Sequence, residues 1–322
     1  MRGHLVTADA TVTDPDARTI AATVASGGRF WLDLSDPDAA TTALLRDGFR
    51  FHPLAVEDAE HFGQRPKIDD YDEFLLVVAY GLTDDGDPVE VHCFYTDRYL
   101  VTVHRDAVAV VQEVLLKLQR RAVPLPEPVM LLYRVLDGLV DGYFPVLDAM
   151  DESIDALEDD ILRHPTDQQL GQLFRLKRRL ISVRKLAVEQ RDMFNAVLSG
   201  GMDLPGMTPD AERYFRDLYD HLVRISQTAD SYRDLMSSVL DTHLSTTSNR
   251  LNMVMKQLAI IATVFLPMSF LTGFFGQNFG WMVDRIGGPA LFWVAGVALQ
   301  VVTAVSLLVM FRRKGWLGGT GP

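Results

Sequence analysis

Polar and small side chains recur at spacings of three and four residues near the C-terminal end of the chain. The row comprises Asp241, Ser245, Ser248, Asn252, Met255, Ala259, Ala262, Leu266, Ser269, Gly273 and Gly276. Residues at this spacing share one face of an α-helix. Hydroxyl and amide groups can bind the waters of a hydrated cation, and small residues leave it room. If several copies of this helix surround an axis, the row predicts a wet channel for a metal ion.

Close packing of helices is the alternative interpretation of the row, because small residues let transmembrane helices approach each other. It explains the first part poorly, since a dry contact would leave Asp241, Ser245 and Asn252 without water or partners. The large apolar residues of the segment lie off the row: Ile260, Ile261, Val264, Phe265, Phe270, Leu271 and Phe274. A wet channel accounts for both parts.

Two uncharged segments predict a membrane around the row. They run from Gln257 to Val283 and from Ile286 to Phe311, and each exceeds the roughly 20 residues that cross a bilayer. Neither contains Asp, Glu, Lys, Arg or His, which argues against a proton-coupled carrier. The flanking basic residues are Arg250, Lys256, Arg312, Arg313 and Lys314. The positive-inside rule therefore places both termini in the cytosol.

A long helix is expected to carry the row into the membrane. Thr208 can cap this helix, Pro209 suits its first position, and Pro267 is tolerated because it falls inside a span. A continuous helix from Pro209 to about Gly276 would be roughly 100 Å long. Its first half needs helical neighbours or sister subunits, because it carries a coiled-coil-like apolar row: Phe215, Leu218, Leu222, Ile225, Ala229, Tyr232, Met236 and Val239.

The residues before this helix predict a mixed α/β domain and a helical hairpin. Strands are expected at Arg29–Leu34, Phe74–Tyr80, Val89–Tyr95 and Tyr99–His104, and helices at Asp38–Arg46, Pro53–His61 and Ala107–Arg121. From Pro126 one helix is expected to run to about His164. Thr166 and Gln169 form a capping box that starts the second arm, which ends near Gly200.

Composition and charge give further indications about partners and location. The net charge of −12 argues against a nucleic-acid partner, and the single Cys93 fits a reducing compartment. The N-terminus lacks the apolar core of a secretory signal. The acidic run Asp148–Asp160 is interpreted either as a solvated helix face or as a surface that attracts cations near a pore.

Short motifs occur in a fixed order along the chain. They are His52-Pro53-Leu54 with Glu57-Asp58, Gln64-Arg65-Pro66-Lys67, Tyr214-Phe215-Arg216-Asp217 through Asp220-His221, Ser248-Asn249 with Asn252, Ile260-Ile261-Ala262-Thr263 to Pro267, and Gly276-Gln277-Asn278. Together with two C-terminal spans and a basic tail, they make the chain similar to the CorA divalent-cation transporters. The resemblance covers roughly residue 50 to the end.

The resemblance implies an α+β fold assembled as a homopentamer. A cytosolic α/β/α domain is followed by a long stalk helix, which continues into a pore domain of two transmembrane helices in the membrane lipid. The expected divisions are 1–125 (α/β domain), 126–208 (helical hairpin), 209–256 (stalk), 257–278 (first span and signature), 279–289 (outer loop), 290–311 (second span) and 312–322 (basic tail).

The resemblance also implies the site residues. A Gly-Met-Asn signature forms the selectivity ring in that family; here it is Gly276, Gln277 and Asn278, with Asn278 contacting the hydrated ion. The expected pore-lining residues are Asn252, Met255, Leu258, Ala262, Leu266, Ser269 and Gly273. Regulatory Mg²⁺ in the cytosol is expected at Asp58 and Asp241, with Glu57 and Asp217 near a second site.

The leading hypothesis is a gated Mg²⁺ channel driven by membrane potential. A transporter for Zn²⁺, Co²⁺ or Ni²⁺ on the same scaffold is the nearest alternative, because Gln277 replaces the signature methionine. A membrane-anchored enzyme lacks support from a His-Glu-x-x-His, Gly-x-Ser-x-Gly or Cys-x-x-Cys motif. A membrane-tethered scaffold would conduct no ions.

Overall fold

The computed structural model describes residues 1–120, 124–277, 279–285 and 288–316. The chain divides into two compact units, Met1–Leu240 and Asp241–Pro322. We call them the N-terminal unit and the C-terminal unit. One helix contributes residues to both units, and each unit is described by itself.

A seven-stranded sheet forms the centre of the N-terminal unit. Its strands are β1 (Arg2–Thr7), β2 (Thr11–Thr13), β3 (Phe30–Ser35), β4 (Lys67–Asp70), β5 (Leu75–Leu82), β6 (Pro88–Tyr95) and β7 (Tyr99–His104), in the spatial order β2-β1-β3-β7-β6-β5-β4. Among the strands described, β3 and β7 pair in parallel and the other neighbours are antiparallel. The four predicted strands correspond to β3, β5, β6 and β7, whereas β1, β2 and β4 were not predicted.

Helices cover both faces of this sheet, because successive residues of its buried strands point to opposite sides. In β5, Leu75, Val77 and Ala79 belong to one hydrophobic cluster, and Leu76 and Val78 belong to the other. Helices α1 (Ala17–Ser26), α2 (Ala39–Ala43) and α3 (Pro53–Glu60) lie on the side of the second cluster, and a short π-helix, Leu44–Gly48, follows α2. The larger cluster packs against the helices that follow the sheet, the first being α4 (Ala109–Gln119). The expected α/β/α arrangement is confirmed.

A buried polar chain links the two parallel strands. Trp31 Nε1 donates to Thr102 Oγ1 (3.0 Å), and that hydroxyl donates to Asp33 Oδ1 (2.6 Å). His104 Nε2 lies 3.2 Å from the same carboxylate oxygen. Burial opposes a charge on His104, but the hydrogen bond and the charge of Asp33 outweigh it and raise the pKa of His104. The buried polar side chains in this part of the sheet therefore form hydrogen bonds with one another.

The segment after residue 126 contains three helices where two were expected. These are α5 (Pro128–Asp141), α6 (Tyr143–Arg163) and α7 (Asp167–Leu198). The prediction of one helix to His164 is wrong because the chain breaks at Gly142. Pro145 has no N–H for the carbonyl of Asp141, and its ring would clash with that carbonyl in a continuous helix. The capping box is confirmed: Thr166 Oγ1 accepts from Gln169 N, and Thr166 N donates to Gln169 Oε1.

Helix α8 spans Pro209–Phe275, 67 residues without interruption. Thr208 Oγ1 accepts from Ala211 N (3.1 Å), so the predicted cap is present. The apolar row of its first half belongs to the core of the N-terminal unit, where Phe215 lies 6.3 Å from the Phe194 ring of α7 and 6.0 Å from the Tyr133 ring of α5. Helices of the same chain are therefore the neighbours that this half requires.

The C-terminal unit contains the rest of α8 and two further helices. Helix α9 spans Gly280–Arg285, and the last helix spans Pro289–Arg313 with a π-helical segment at Phe292–Ala298. Helix α8 and the last helix are both long and apolar enough to cross a membrane, and their apolar segments are 0% and 6% buried within the chain. Such exposure requires lipid or other subunits as a surrounding.

Candidate ion pathway and metal sites

The expected pore-lining residues all lie on the second half of α8 and are exposed in the single chain. Met255, Leu258 and Leu266 are 64%, 59% and 73% exposed. Apart from the adjacent α8 backbone, no atom of the described residues lies within 4 Å of the position that a Cβ on Gly273 would take. Gly276 and Gln277 follow the end of the helix and are exposed. Asn278 lies outside the described residues.

Another face of the same helix is covered. Ile260 is 8% exposed, and Lys256, Val264, Leu271 and Phe275 are half-buried. Successive residues of an α-helix are rotated by about 100°, so this face lies roughly opposite the row that includes Ala262, Leu266 and Gly273. The polar and small row and the covered face are therefore separate sides of α8.

Contacts from the last helix and from the residues directly after it reach α8 at two levels. Near the end of α8, Gln300 Nε2 donates to Thr272 Oγ1 (3.0 Å). At the other level, Lys256 Nζ donates to the carbonyl of Gly315 (3.3 Å) and lies 5.7 Å from the Trp316 ring, which stacks on Phe311. These contacts pair the two apolar helices in the C-terminal unit.

The end of α8 is held by backbone hydrogen bonds. Gly276 N donates to the carbonyl of Thr272 (2.9 Å), and Gln277 N donates to that of Phe274 (3.4 Å). A Cβ on Gly276 would lie 3.0 Å from the Thr272 oxygen, so a side chain has little room there. The last turn thus leads directly into Gln277.

Asp58 on α3 is paired with a lysine. Lys67 Nζ lies 2.7 Å from Asp58 and 2.6 Å from Asp69 of β4, and the Asp58 and Lys67 side chains are only 19% and 20% exposed. Burial opposes the charge on Lys67, but hydrogen bonds to both carboxylates outweigh it and raise the pKa of Lys67. Glu57 on the same helix is exposed. An ammonium group thus stands where a metal ion was expected.

Asp217 on α8 lies beside a mixed cluster in the N-terminal unit. Its carboxylate is 3.8 Å from His221 Nε2, and His221 Nδ1 is 3.6 Å from Asp141 of α5. Ligand atoms of Asp137, Asp141 and His221 all lie within 4.8 Å of one another. Burial and the charge of Asp141 raise the pKa of Asp137, and a cation would relieve that repulsion.

Sequence reasoning did not select Asp137, Asp141 or His221 as ligands. A signal was present, because Asp137 and Asp141, like Asp217 and His221, are four residues apart and share a helix face. Only the packing of α5 against α8 brings the two pairs together. Asp241, the first residue of the C-terminal unit, is exposed. His61 Nδ1 lies 3.1 Å from the carbonyl of Glu57 at the end of α3.

An α/β/α unit, a long helix and two apolar C-terminal helices, each long enough to cross a bilayer, are the features of a membrane protein with a large extramembrane domain. The family model described as CorA-like Mg²⁺ transporter protein matches residues 26–313. The chain therefore belongs to the CorA family. It is a divalent-cation transporter and not an enzyme.

Individual relatives agree with this assignment. The cobalt/magnesium transport protein CorA of Thermotoga maritima is 32% identical over 284 residues, covering 84% of this chain and 78% of that protein. The zinc transport protein ZntB of Pectobacterium carotovorum subsp. carotovorum is 29% identical over 282 residues, covering 86% and 82%. The complete structure of the CorA magnesium transporter from Methanocaldococcus jannaschii superposes with a TM-score of 0.83 at 20% identity, covering 98% of this chain and 99% of that one.

Proposed function

We propose that the chain forms a homopentameric Mg²⁺ channel whose pore is lined by the polar and small row of α8. The observation that carries the proposal is the separation of two faces of this helix. Ile260 is buried and Lys256 contacts the segment after the last helix, whereas Asn252, Ala262 and Ser269 are exposed in the described part of the chain. Five such faces around an axis would enclose a passage, with the last helix outside and toward the lipid.

A neutral pore suits Mg²⁺. Mg²⁺ loses its coordinated waters reluctantly, so it is well suited to neutral polar groups that form hydrogen bonds with those waters. The row offers an amide at Asn252, a hydroxyl at Ser269 and space at Gly273. In the same proposal Gly276, Gln277 and Asn278 form the selectivity ring at the outer end, which the hydrated ion meets first.

Membrane potential supplies the driving force for influx. A divalent ion gains about 4.6 kcal/mol per 100 mV, twice the value for a single charge. This orientation needs both termini in the cytosol of a plasma or inner membrane. This orientation is supported by the basic residues that flank the outer ends of the two spans in the sequence. The segment between the spans has Asp284 and Arg285 as its charged residues.

Cytosolic Mg²⁺ is proposed to close the channel by binding Asp58, Asp241, Glu57 and Asp217. The carboxylates fit a hard divalent cation, and Asp217 adjoins the Asp137–Asp141 pair, where charges of the same sign favour a cation. Asp58 fits only if the ion displaces Lys67. The expected result for Asp241→Ala is that Mg²⁺ no longer protects the reconstituted channel from protease. Undiminished protection would contradict a role for Asp241.

Zn²⁺, Co²⁺ or Ni²⁺ is the second candidate cargo. Two observations favour it: Gln277 stands in the signature, and His221 belongs to the mixed cluster. Imidazole suits these ions better than Mg²⁺. The ZntB relative is named as a zinc transporter.

A flux assay tests both candidates. The full-length protein in liposomes is given Mg²⁺, Zn²⁺, Co²⁺ and Ni²⁺ separately under an inside-negative potential. We expect saturable Mg²⁺ uptake, and Asn278→Ala should abolish it or reduce its selectivity. Saturable Zn²⁺ uptake without Mg²⁺ uptake would replace the proposed cargo. Unchanged uptake and selectivity in Asn278→Ala would overturn the ring.

A further inference from the structure

A hydrogen bond between the two apolar helices ends close to the proposed selectivity ring. Gln300 Nε2 of the last helix donates to Thr272 Oγ1 of α8 (3.0 Å). The threonine hydroxyl in turn donates to the carbonyl of Met268 (2.9 Å). In the hydrocarbon region an amide without partners is costly. The bond therefore favours one register of the two helices over its alternatives.

Thr272 connects this bond to the end of α8. Its backbone carbonyl accepts the Gly276 amide (2.9 Å), and Gln277 follows in the same turn. A movement of Thr272 would be passed on to Gly276, because the Gly276 amide is hydrogen-bonded to the Thr272 carbonyl. Gln300 thus reaches the ring residues through one side chain and one turn of backbone.

Thr272 is not one of the expected pore-lining residues, although it lies beside them on α8. It follows Ser269 by three residues and precedes Gly276 by four, and its side chain is about 100° around the helix from Gly273. Its hydroxyl is already engaged with Gln300 and Met268. Gln300 lies outside α8, so replacing it removes the bond without changing any pore-lining group, and its effect on ion preference must act through the position of the ring.

We propose that Thr272 and Gln300 are positioning residues that set the ion preference of the ring. The inference rests on the proposed function, since it requires the ring at Gly276, Gln277 and Asn278. A neutral ring distinguishes hydrated ions by the placement of its oxygens. Without the hydrogen bond between Gln300 and Thr272, the ring can adopt more than one diameter. It then discriminates less well between hydrated ions.

The test compares four single variants and one double variant of the full-length protein in liposomes, at equal amounts of reconstituted protein. Thr272→Val and Gln300→Met each remove the bond while keeping shape or length. Thr272→Ser keeps the hydroxyl. Thr263→Val is the matched control, because Thr263 lies in the same span and its hydroxyl donates only to the carbonyl of Ala259 (2.7 Å). The readout is the ratio of Mg²⁺ to Co²⁺ uptake.

We expect Thr272→Val and Gln300→Met each to change this ratio about threefold or more, the effect of one interhelical hydrogen bond. The double variant should match either single variant, because both remove the same bond. Thr272→Ser and Thr263→Val should keep the parental ratio. Parental ratios in Thr272→Val and Gln300→Met, even with lower total uptake, would overturn the proposal, as would additive effects in the double variant.

The result for Asn278→Ala separates this inference from the ring itself. A changed ratio in Asn278→Ala, with parental ratios in Thr272→Val and Gln300→Met, overturns the positioning pair alone. A parental ratio in Asn278→Ala overturns the assignment of the selectivity ring. The proposal that Thr272 and Gln300 position that ring then fails with it.

Discussion

The two halves of α8 share a three-four spacing but differ in their surroundings. Phe215 in the first half is 1% exposed, whereas Leu266 in the second half is 73% exposed. Helices of the same chain cover the first row, so the N-terminal unit has a core of its own. The second row remains exposed, and in our proposal lipid and sister subunits cover the C-terminal unit. The same periodicity therefore marks an intrachain core in one place and an interchain surface in another.

Side-chain type distinguishes the two rows where spacing does not. The first row is almost wholly large and apolar, as expected for a core. The second contains serine, asparagine, alanine and glycine together with exposed Met255 and Leu266. A buried core built from the second set would contain cavities and unpaired polar groups.

The largest expected effect tests this contrast directly. Phe215→Ala should lower the free energy of unfolding by about 3–5 kcal/mol, because it empties a packed site between α5 and α7. Leu266→Ala, at an exposed position of the same helix, should leave unfolding nearly unchanged and alter ion flux. Thermal unfolding of the full chain in detergent and uptake by liposomes are the two measurements.

The reverse result would break the comparison. If Leu266→Ala destabilised the detergent-solubilised chain as much as Phe215→Ala, the second row would be part of a packed core. A pore-lining role for Leu266 would then be untenable.

Much of the fold could be predicted from local signals. The strands β5, β6 and β7 follow from apolar runs bounded by turns, and the starts of α7 and α8 follow from capping residues. The short edge strands β2 and β4 could not be found this way, because Thr11–Thr13 and Lys67–Asp70 have little apolar content and depend on their neighbours for pairing. The break at Gly142 was missed because Pro145 was not weighed against the helical pattern around it.

The candidate sites also differ in how far the sequence could predict them. The pore row is a property of one helix, so periodicity sufficed to predict it. The Asp137, Asp141 and His221 cluster needs two helices in contact, and the pairing of Lys67 with Asp58 needs β4 beside α3. Such contacts between distant parts of the chain are not visible in local sequence patterns.

A smaller effect is expected from pH, and it concerns the N-terminal unit alone. The pKa of His104 is raised in the folded chain by Asp33, against the opposing effect of burial. Its contribution to stability is therefore complete below the unfolded value of about 6.5 and is lost as pH rises through the folded pKa. The unfolding temperature should therefore fall over that pH interval.

His104→Gln should remove this pH dependence, whereas His164→Gln, at an exposed residue after α6, should retain it. Ion preference should not change in either variant, because both residues lie in the N-terminal unit. A decrease in stability of the same size in His104→Gln as in the parent over this pH interval would assign the dependence to another group.

The smallest expected effect concerns the proposed sensing of Mg²⁺ by Asp58. Lys67→Gln removes the ammonium group that neutralises Asp58 and Asp69, so a divalent cation no longer has to displace it. The Mg²⁺ concentration that protects the liposome-reconstituted channel from protease should fall by about two- to fivefold, the scale of a modest ion pair. Lys117→Gln is the matched control, because Lys117 pairs with Glu113 at exposed positions of α4, where the side chains are 62% and 63% exposed. Two outcomes would contradict this account. If Mg²⁺ did not protect the parent channel at all, regulation by Mg²⁺ would be wrong. If Lys67→Gln were protected at the same Mg²⁺ concentration as the parent, Asp58 would be a structural partner of Lys67 and not a sensor.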